Sequence, residues 1–183
     1  MKKAVVLFFI LITLGSYAQE KLSYNGKVQV DSNLKKNDLF NNARTWFNNS
    51  FNNSKNVIQI IDKETGEISA KGSIKYTSNV VLSSAVTSGY INFSVSIFVK
   101  DGKYKYEFTN FTHEGTPGVK YNNSGISFGL ITTHIECPKD IPGSWQGWRN
   151  KVWDDIKSQI NDNIIPLISS LKQTMITKAN SNW

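Results

Sequence analysis

The sequence predicts an α+β fold, an antiparallel sheet in the order strand, helix, four strands, long helix, with one face of the sheet covered by helices. Four stretches alternate apolar and polar residues with a period of two, the mark of half-buried strands. An Asp101-Gly102 pair joins the two strongest of them, which is the best short-range signal of a hairpin. From Trp145 to Met175 apolar residues then recur every three or four positions, the spacing of a long amphipathic helix.

The first strand is read over Tyr24 to Asp31, where Tyr24, Gly26, Val28 and Val30 alternate with polar neighbours. A helix follows, with Asn37 as its expected N-cap. Leu39, Phe40, Ala43, Trp46, Phe47 and Phe51 share one face; Asn41, Asn42, Thr45, Asn48, Asn49, Asn52 and Asn53 share the other. Asparagine is a poor helix former, so this helix depends on burying its aromatic stripe. Val57 to Asp62 and the alternating run Ile68 to Tyr76 read as a hairpin around a turn-rich Asp62-to-Gly66 loop. Ile91, Phe93, Val95, Ile97 and Val99 give the strongest strand. Its return strand places Tyr104, Tyr106 and Phe108 on a core face and Lys103, Lys105 and Glu107 on a wet one.

Thr112 to Gly143 is a Gly-rich excursion in which Ile126 to Ile135 is expected to add an edge strand. In the last helix Trp145, Trp148, Val152, Ile156, Ile160, Ile164, Leu167, Leu171 and Met175 form the seam, and Pro166 is expected to kink or restart it. Burying the seam is worth roughly 1.5 to 3 kcal/mol per large side chain in gross transfer terms.

Composition bounds the function. The chain has 183 residues, 39% hydrophobic and 19% charged, the balance of a globular domain rather than a disordered or fibrous one. Lys2 and Lys3 precede an apolar run from Ala4 to Leu14 with only Thr13 polar within it, and Ser16-Tyr17-Ala18 supplies small residues for cleavage, so 1–18 reads as a secretory signal peptide and 19–183 as one exported domain. The apolar run is too short to span a bilayer, and no cysteine follows it to carry a lipid, so no stable membrane insertion is expected after cleavage. Removing the leader takes two of the 21 basic residues and no acid, which leaves 19 against 14. That mild, scattered excess does not read as a nucleic-acid surface.

The strings FNNARTWF, IIDKETGEISAKG, VKDGKYKYEFTNF and IIPLISSLKQTM resemble an exported Bacteroidetes family of unknown function with a TATA-binding-protein-like (TBP-like) fold. The resemblance covers about Asn37 to Phe111 and Trp148 to Lys178, and it is most specific at Asp101-Gly102-Lys103-Tyr104-Lys105-Tyr106 and in the aromatic helix. It implies a strand-helix-four-strand-helix sheet and an extracytoplasmic setting. It supplies no catalytic residues. Helix-grip proteins share the broad architecture and hold apolar ligands between a curved sheet and a long helix, an analogy of fold alone.

Chemistry-bearing constellations are sparse. His113, His134 and Cys137 are the only histidines and cysteine, and His134-x-x-Cys137 has a zinc-like spacing, but too few nitrogen and sulfur donors accompany it to complete a site. The ordinary reading puts His113 in a turn and His134 on a wet edge strand, with Cys137 a small hydrophobe. A single cysteine also excludes an intrachain disulfide. No Gly-x-Ser-x-Gly elbow occurs, and the carboxylate pairs Asp154-Asp155 and Asp62 with Glu64 lie too close in sequence to face each other across a cleft. Trp145, Trp148, Trp153 and Arg149 are read as packing the last helix onto the sheet. Lys100, Lys103 and Lys105 are read as a solvated edge.

The expectation is therefore a non-catalytic binding or accessory module that needs no metal or cofactor, with an unknown protein or a small apolar ligand as partner. In the alternative, the chain carries a small apolar or aromatic ligand between sheet and last helix, lined by Tyr106, Phe108, Trp148 and Val152.

Overall fold

The computed structural model describes residues 20–51, 58–116, 125–143 and 145–177. The leader expected over 1–18 lies outside the described residues, as do Asn52, Asn53 and Val57. The chain forms β1 (Tyr24–Gln29), α1 (Lys36–Ser50), β2 (Ile58–Asp62), β3 (Glu67–Tyr76), a short helix α2 (Ser84–Thr87), β4 (Gly89–Lys100), β5 (Lys103–Gly115), β6 (Gly129–Leu130) and the long helix α3 (Gln146–Met175). The antiparallel sheet runs β1-β5-β4-β3-β2, and β6 pairs with the far end of β5.

β1 and β2 thus occupy opposite edges, and α1 carries the chain from one to the other. Leu39, Phe40, Ala43, Trp46 and Phe47 are all buried, which is the aromatic stripe the asparagine-rich helix needs. Its N-cap is Lys35 rather than Asn37: the Asp38 carboxylate accepts the Lys35 N–H at 3.0 Å and so fixes the start two residues earlier. α3 lies beside α1, and the indole N–H of Trp46 donates to Ser170 Oγ at 2.9 Å. Its Val152, Trp153, Ile156, Ile160, Ile164, Ile168, Leu171 and Met175 are buried and close the core; of the predicted seam, Leu167 gives way to Ile168, Trp148 is only partly buried and Trp145 precedes the helix, exposed. α3 runs unbroken through Pro166; no restart occurs there.

Both hairpins turn where expected. Gly102 has φ +67°, a conformation glycine adopts without penalty, and Lys100 and Lys103 pair across it. Asp62 Oδ1 accepts the Glu64 and Thr65 N–H groups at 2.8 and 3.1 Å, which shapes the β2–β3 turn.

One irregularity sets the far half of the sheet. Between the pairs Asn92–Thr112 and Ser94–Thr109, β5 holds one residue more than β4, and Asn110 takes φ +56°. This bulge switches the buried side chains from Tyr104, Tyr106 and Phe108 to Phe111 and His113. β1 pairs with β5 before the bulge and β6 after it. The edge strand expected over Ile126 to Ile135 is realised only as Gly129–Leu130, extended by an isolated bridge from Lys21 to Thr132.

Candidate functional site

β2 accompanies β3 only from Glu67 to Ala70, so the other half of β3 has α3 rather than a strand beside it. A groove of about 860 Å³ opens there. Ile74 and Phe93 supply its apolar floor, Leu167 and Pro166 its helical wall, and Phe51 the corner where α1 ends. Ser73, Lys75, Asp162, Asn163 and Ser170 give it a polar rim.

The floor depends on a glycine. Gly72 stands directly opposite Phe93, and a Cβ on it would come within 2.2 Å of that ring, so the ring lies flat across the strand only because no side chain is present. Phe93 stacks on Phe111 at 5.6 Å and leans on Phe51 at 6.4 Å, which joins the groove to the aromatic core. Pro166 contributes no N–H to the carbonyl of Asp162, and both residues line the helical wall.

The four residues expected to line a ligand lie elsewhere. Tyr106 and Phe108 are in ring contact at 6.2 Å, with Tyr106 over Gly26 and Phe108 against Trp46. Trp148 packs on Phe128 at 6.5 Å near the start of α3, and Val152 is buried. Phe108 is one ring removed from the groove, through Phe93 at 6.2 Å. Phe93 was legible as a core strand residue. That it borders an opening depends on its register with Gly72, which no local pattern in the sequence carries.

Two titratable side chains, His113 and Asp155, are held by several hydrogen bonds each. His113 is fully buried on β5, not in a turn, because the bulge turns it inward. Its Nε2–H donates to the Thr87 carbonyl at 3.0 Å and its Nδ1 accepts the Phe128 N–H at 3.2 Å, an arrangement that fixes the neutral tautomer. Burial pulls its pKa down to about 4 despite the Thr87 bond.

His134 is exposed and sits in a loop beyond β6, not on a strand. Its carbonyl accepts the Trp153 indole N–H at 3.0 Å. Cys137 is buried, and that burial pushes its thiol up to about 11, far from a reactive thiolate. Among the described residues no three of His, Cys, Asp and Glu gather as a metal site. Trp153 is core as expected, Trp148 is half-buried, and Trp145 stands exposed.

Asp155 ties α3 to the end of β3. It accepts from the Tyr76 hydroxyl at 2.8 Å, from the Asn79 N–H and side-chain amide at 3.0 Å each, and from Gln159 at 3.3 Å. Burial alone would raise its pKa, but these bonds outweigh it and hold the carboxyl below its usual range.

No helix among the described residues is long and apolar enough to cross a membrane. A search of curated proteins finds no match. Similar solved structures include the following two. The first is a TBP-like protein from Parabacteroides distasonis, 13% identical, with TM-score 0.55 over 83% of this chain and 93% of that one. The second is a DUF4468 family protein from Bacteroides ovatus, 14% identical, with TM-score 0.56 over 89% of this chain and 90% of that one. At such identity the likeness establishes the fold alone. Residues 24–114, from the start of β1 to the penultimate residue of β5, match the family model DUF4468, a domain of unknown function with TBP-like fold.

Proposed function

We propose that the chain is an exported, non-catalytic binding module of the cell envelope. The observation that carries this reading is where the reactive side chains go: both ring nitrogens of His113 and four hydrogen bonds to Asp155 are committed to the fold, while the groove beside α3 is lined by groups that hold a ligand rather than transform one. A nucleophile needs a neighbouring base and oxyanion donors, and the groove's Ser73 and Ser170 have no histidine beside them in its lining. Export is supported by the Lys2-Lys3, Ala4-to-Leu14 and Ser16-Tyr17-Ala18 sequence.

A carrier of a small apolar or aromatic ligand is the second reading, and the apolar floor of Phe93, Ile74 and Leu167 between sheet and α3 favours it. Its volume lies within the range of about 300 to 1,000 Å³ typical of small-molecule sites. Native mass spectrometry of protein isolated from its own envelope tests the carrier: an added small mass that Gly72→Val removes supports it, and a bare chain mass argues against it. Crosslinking in envelope extract tests the module; recovery of neither a partner nor a ligand contradicts both readings.

A further inference from the structure

The open face of the sheet, away from the helices, holds a second opening with a basic lining. Lys27 of β1, Lys100 of β4, and Lys103 and Lys105 of β5 surround it, together with the half-buried ring of Phe98. The register crowds these charges: Lys27 stands directly opposite Lys105, and Lys100 directly opposite Lys103. Directly opposed residues hold their Cβ atoms about 5 Å apart, and like charges at that distance oppose strand pairing.

Lys105 alone finds compensation, in an ion pair with Glu107 and a position 5.7 Å over the Phe98 ring. Lys27, Lys100 and Lys103 are exposed and enter no ion pair among the described residues. Asp101, at the turn between Lys100 and Lys103, accepts the Lys36 N–H at 2.7 Å.

The geometry points to a binding site for a compact ligand carrying clustered phosphate groups. Such a ligand supplies the negative charge that two stacked like-charge pairs lack. Lysine ammoniums act as point charges toward phosphate oxygens, so several around one opening suit several phosphates rather than one. The opening measures about 620 Å³, the size of a small-molecule site. Phe98 offers a flat apolar surface for the ligand's carbon skeleton.

An extended polyanion fits less well. Glu67 stands opposite Phe98 on β3, and Glu107 pairs with Ser96 in the next row, so a chain leaving the recess across the sheet meets carboxylates. The site rests on the binding-module reading only in that the chain holds a ligand; it needs neither export nor the groove beside α3.

Calorimetric titration of the full chain with inorganic tripolyphosphate tests it. The variants are Lys27→Gln/Lys100→Gln/Lys103→Gln and a charge-matched control, Lys71→Gln/Lys151→Gln/Lys172→Gln, at residues exposed away from the recess. Tripolyphosphate is expected to bind the parent about tenfold or more tightly than orthophosphate, and to weaken toward about 0.15 M salt. The recess variant is expected to lose about tenfold in affinity while melting no lower than the parent, and the control to stay within about twofold.

Equal binding by the recess variant, an equal loss in the control, or orthophosphate matching tripolyphosphate overturns the proposal. Tighter binding of a single-stranded oligonucleotide or of anionic phospholipid vesicles through the same three lysines overturns it in favour of a macromolecule. Absence of tripolyphosphate binding, with a ligand still found in the α3 groove, sinks this inference and leaves the binding module standing.

Discussion

Acidification from pH 7 to pH 4 is expected to remove about 3 kcal/mol of stability through His113 alone. The ring is fully buried and meets both of its backbone partners only as the neutral tautomer. Its pKa falls from 6.5 to about 4 on folding, because burial disfavours the charged ring. The unfolded chain therefore takes up a proton near pH 6.5 that the folded chain refuses until about pH 4. Between those values unfolding is coupled to proton uptake, and stability falls as the pH falls. The contribution is whole above the unfolded value; the loss grows down to the folded one, at about 1.36 kcal/mol for each pH unit between the two.

Urea unfolding at a series of pH values between 7 and 4 measures this. His113→Gln, which does not titrate, is expected to be less stable at pH 7 and to lack the part of the slope that His113 contributes. Should that variant fail to fold, the imidazole resonances of the parent decide: a ring still neutral at pH 5 is expected, and a titration midpoint near 6.5 refutes the reasoning. The lowered pKa of Asp155 acts in a separate window. Its stabilisation is present above the usual carboxylate value and is lost only as the pH falls through its lower folded value.

Ile160→Ala, in the fully buried seam, is expected to cost about 2 to 5 kcal/mol, whereas Ile165→Ala on the exposed side of the same helix should change stability by no more than about 0.5 kcal/mol. Equal effects in chemical denaturation would contradict the packing described for α3. Asp155→Ala leaves the fully buried Tyr76 without its acceptor and Asn79 without its anchor, an expected loss of about 1 to 3 kcal/mol together with the acid step below pH 4. Tyr104→Phe runs the other way. Among the described residues the buried Tyr104 hydroxyl has no hydrogen-bond partner, and desolvation with the neighbouring Tyr106 pushes its pKa up to about 12, so deleting it should raise stability by about 1 kcal/mol. A lower melting temperature would show that the hydroxyl has a partner.

What could be read from the sequence was what repeats locally. The alternation from Ile91 to Val99, the Asp-Gly turn and most of the α3 seam from Val152 to Met175 each follow from neighbours within a few residues and form as read, except that Ile168 is buried where Leu167 was expected and Trp145 stands exposed ahead of the helix. Two kinds of feature escaped. The bulge at Asn110 breaks the period of two, so Thr112 and His113 looked like the start of an irregular segment although β5 continues through them with Phe111 and His113 on its buried face. Contacts set by long-range register were also hidden: nothing near Lys27 in sequence announces that it will stand opposite Lys105, nor does Gly72 announce Phe93. The α1 start illustrates a smaller failure, where the Asp38 side chain capping Lys35 overrode the plausible cap at Asn37. That Tyr106 and Phe108 do not line the groove beside α3 has the same reason, since they share the apolar face with Phe93 while register alone decides which of them borders it.

The central claim, binding without catalysis at openings on a packed fold, is tested most directly by titrating isotope-labelled protein with a small-molecule fraction of envelope extract. Amide shifts and the composition of the extract are followed together. Shifts confined to the surroundings of Ile74, Phe93 and Leu167 or of Lys27, Lys100 and Lys103, with no component of the extract consumed, are the predicted result. Turnover of a component, or saturating extract that moves no amide in either region, would contradict the account.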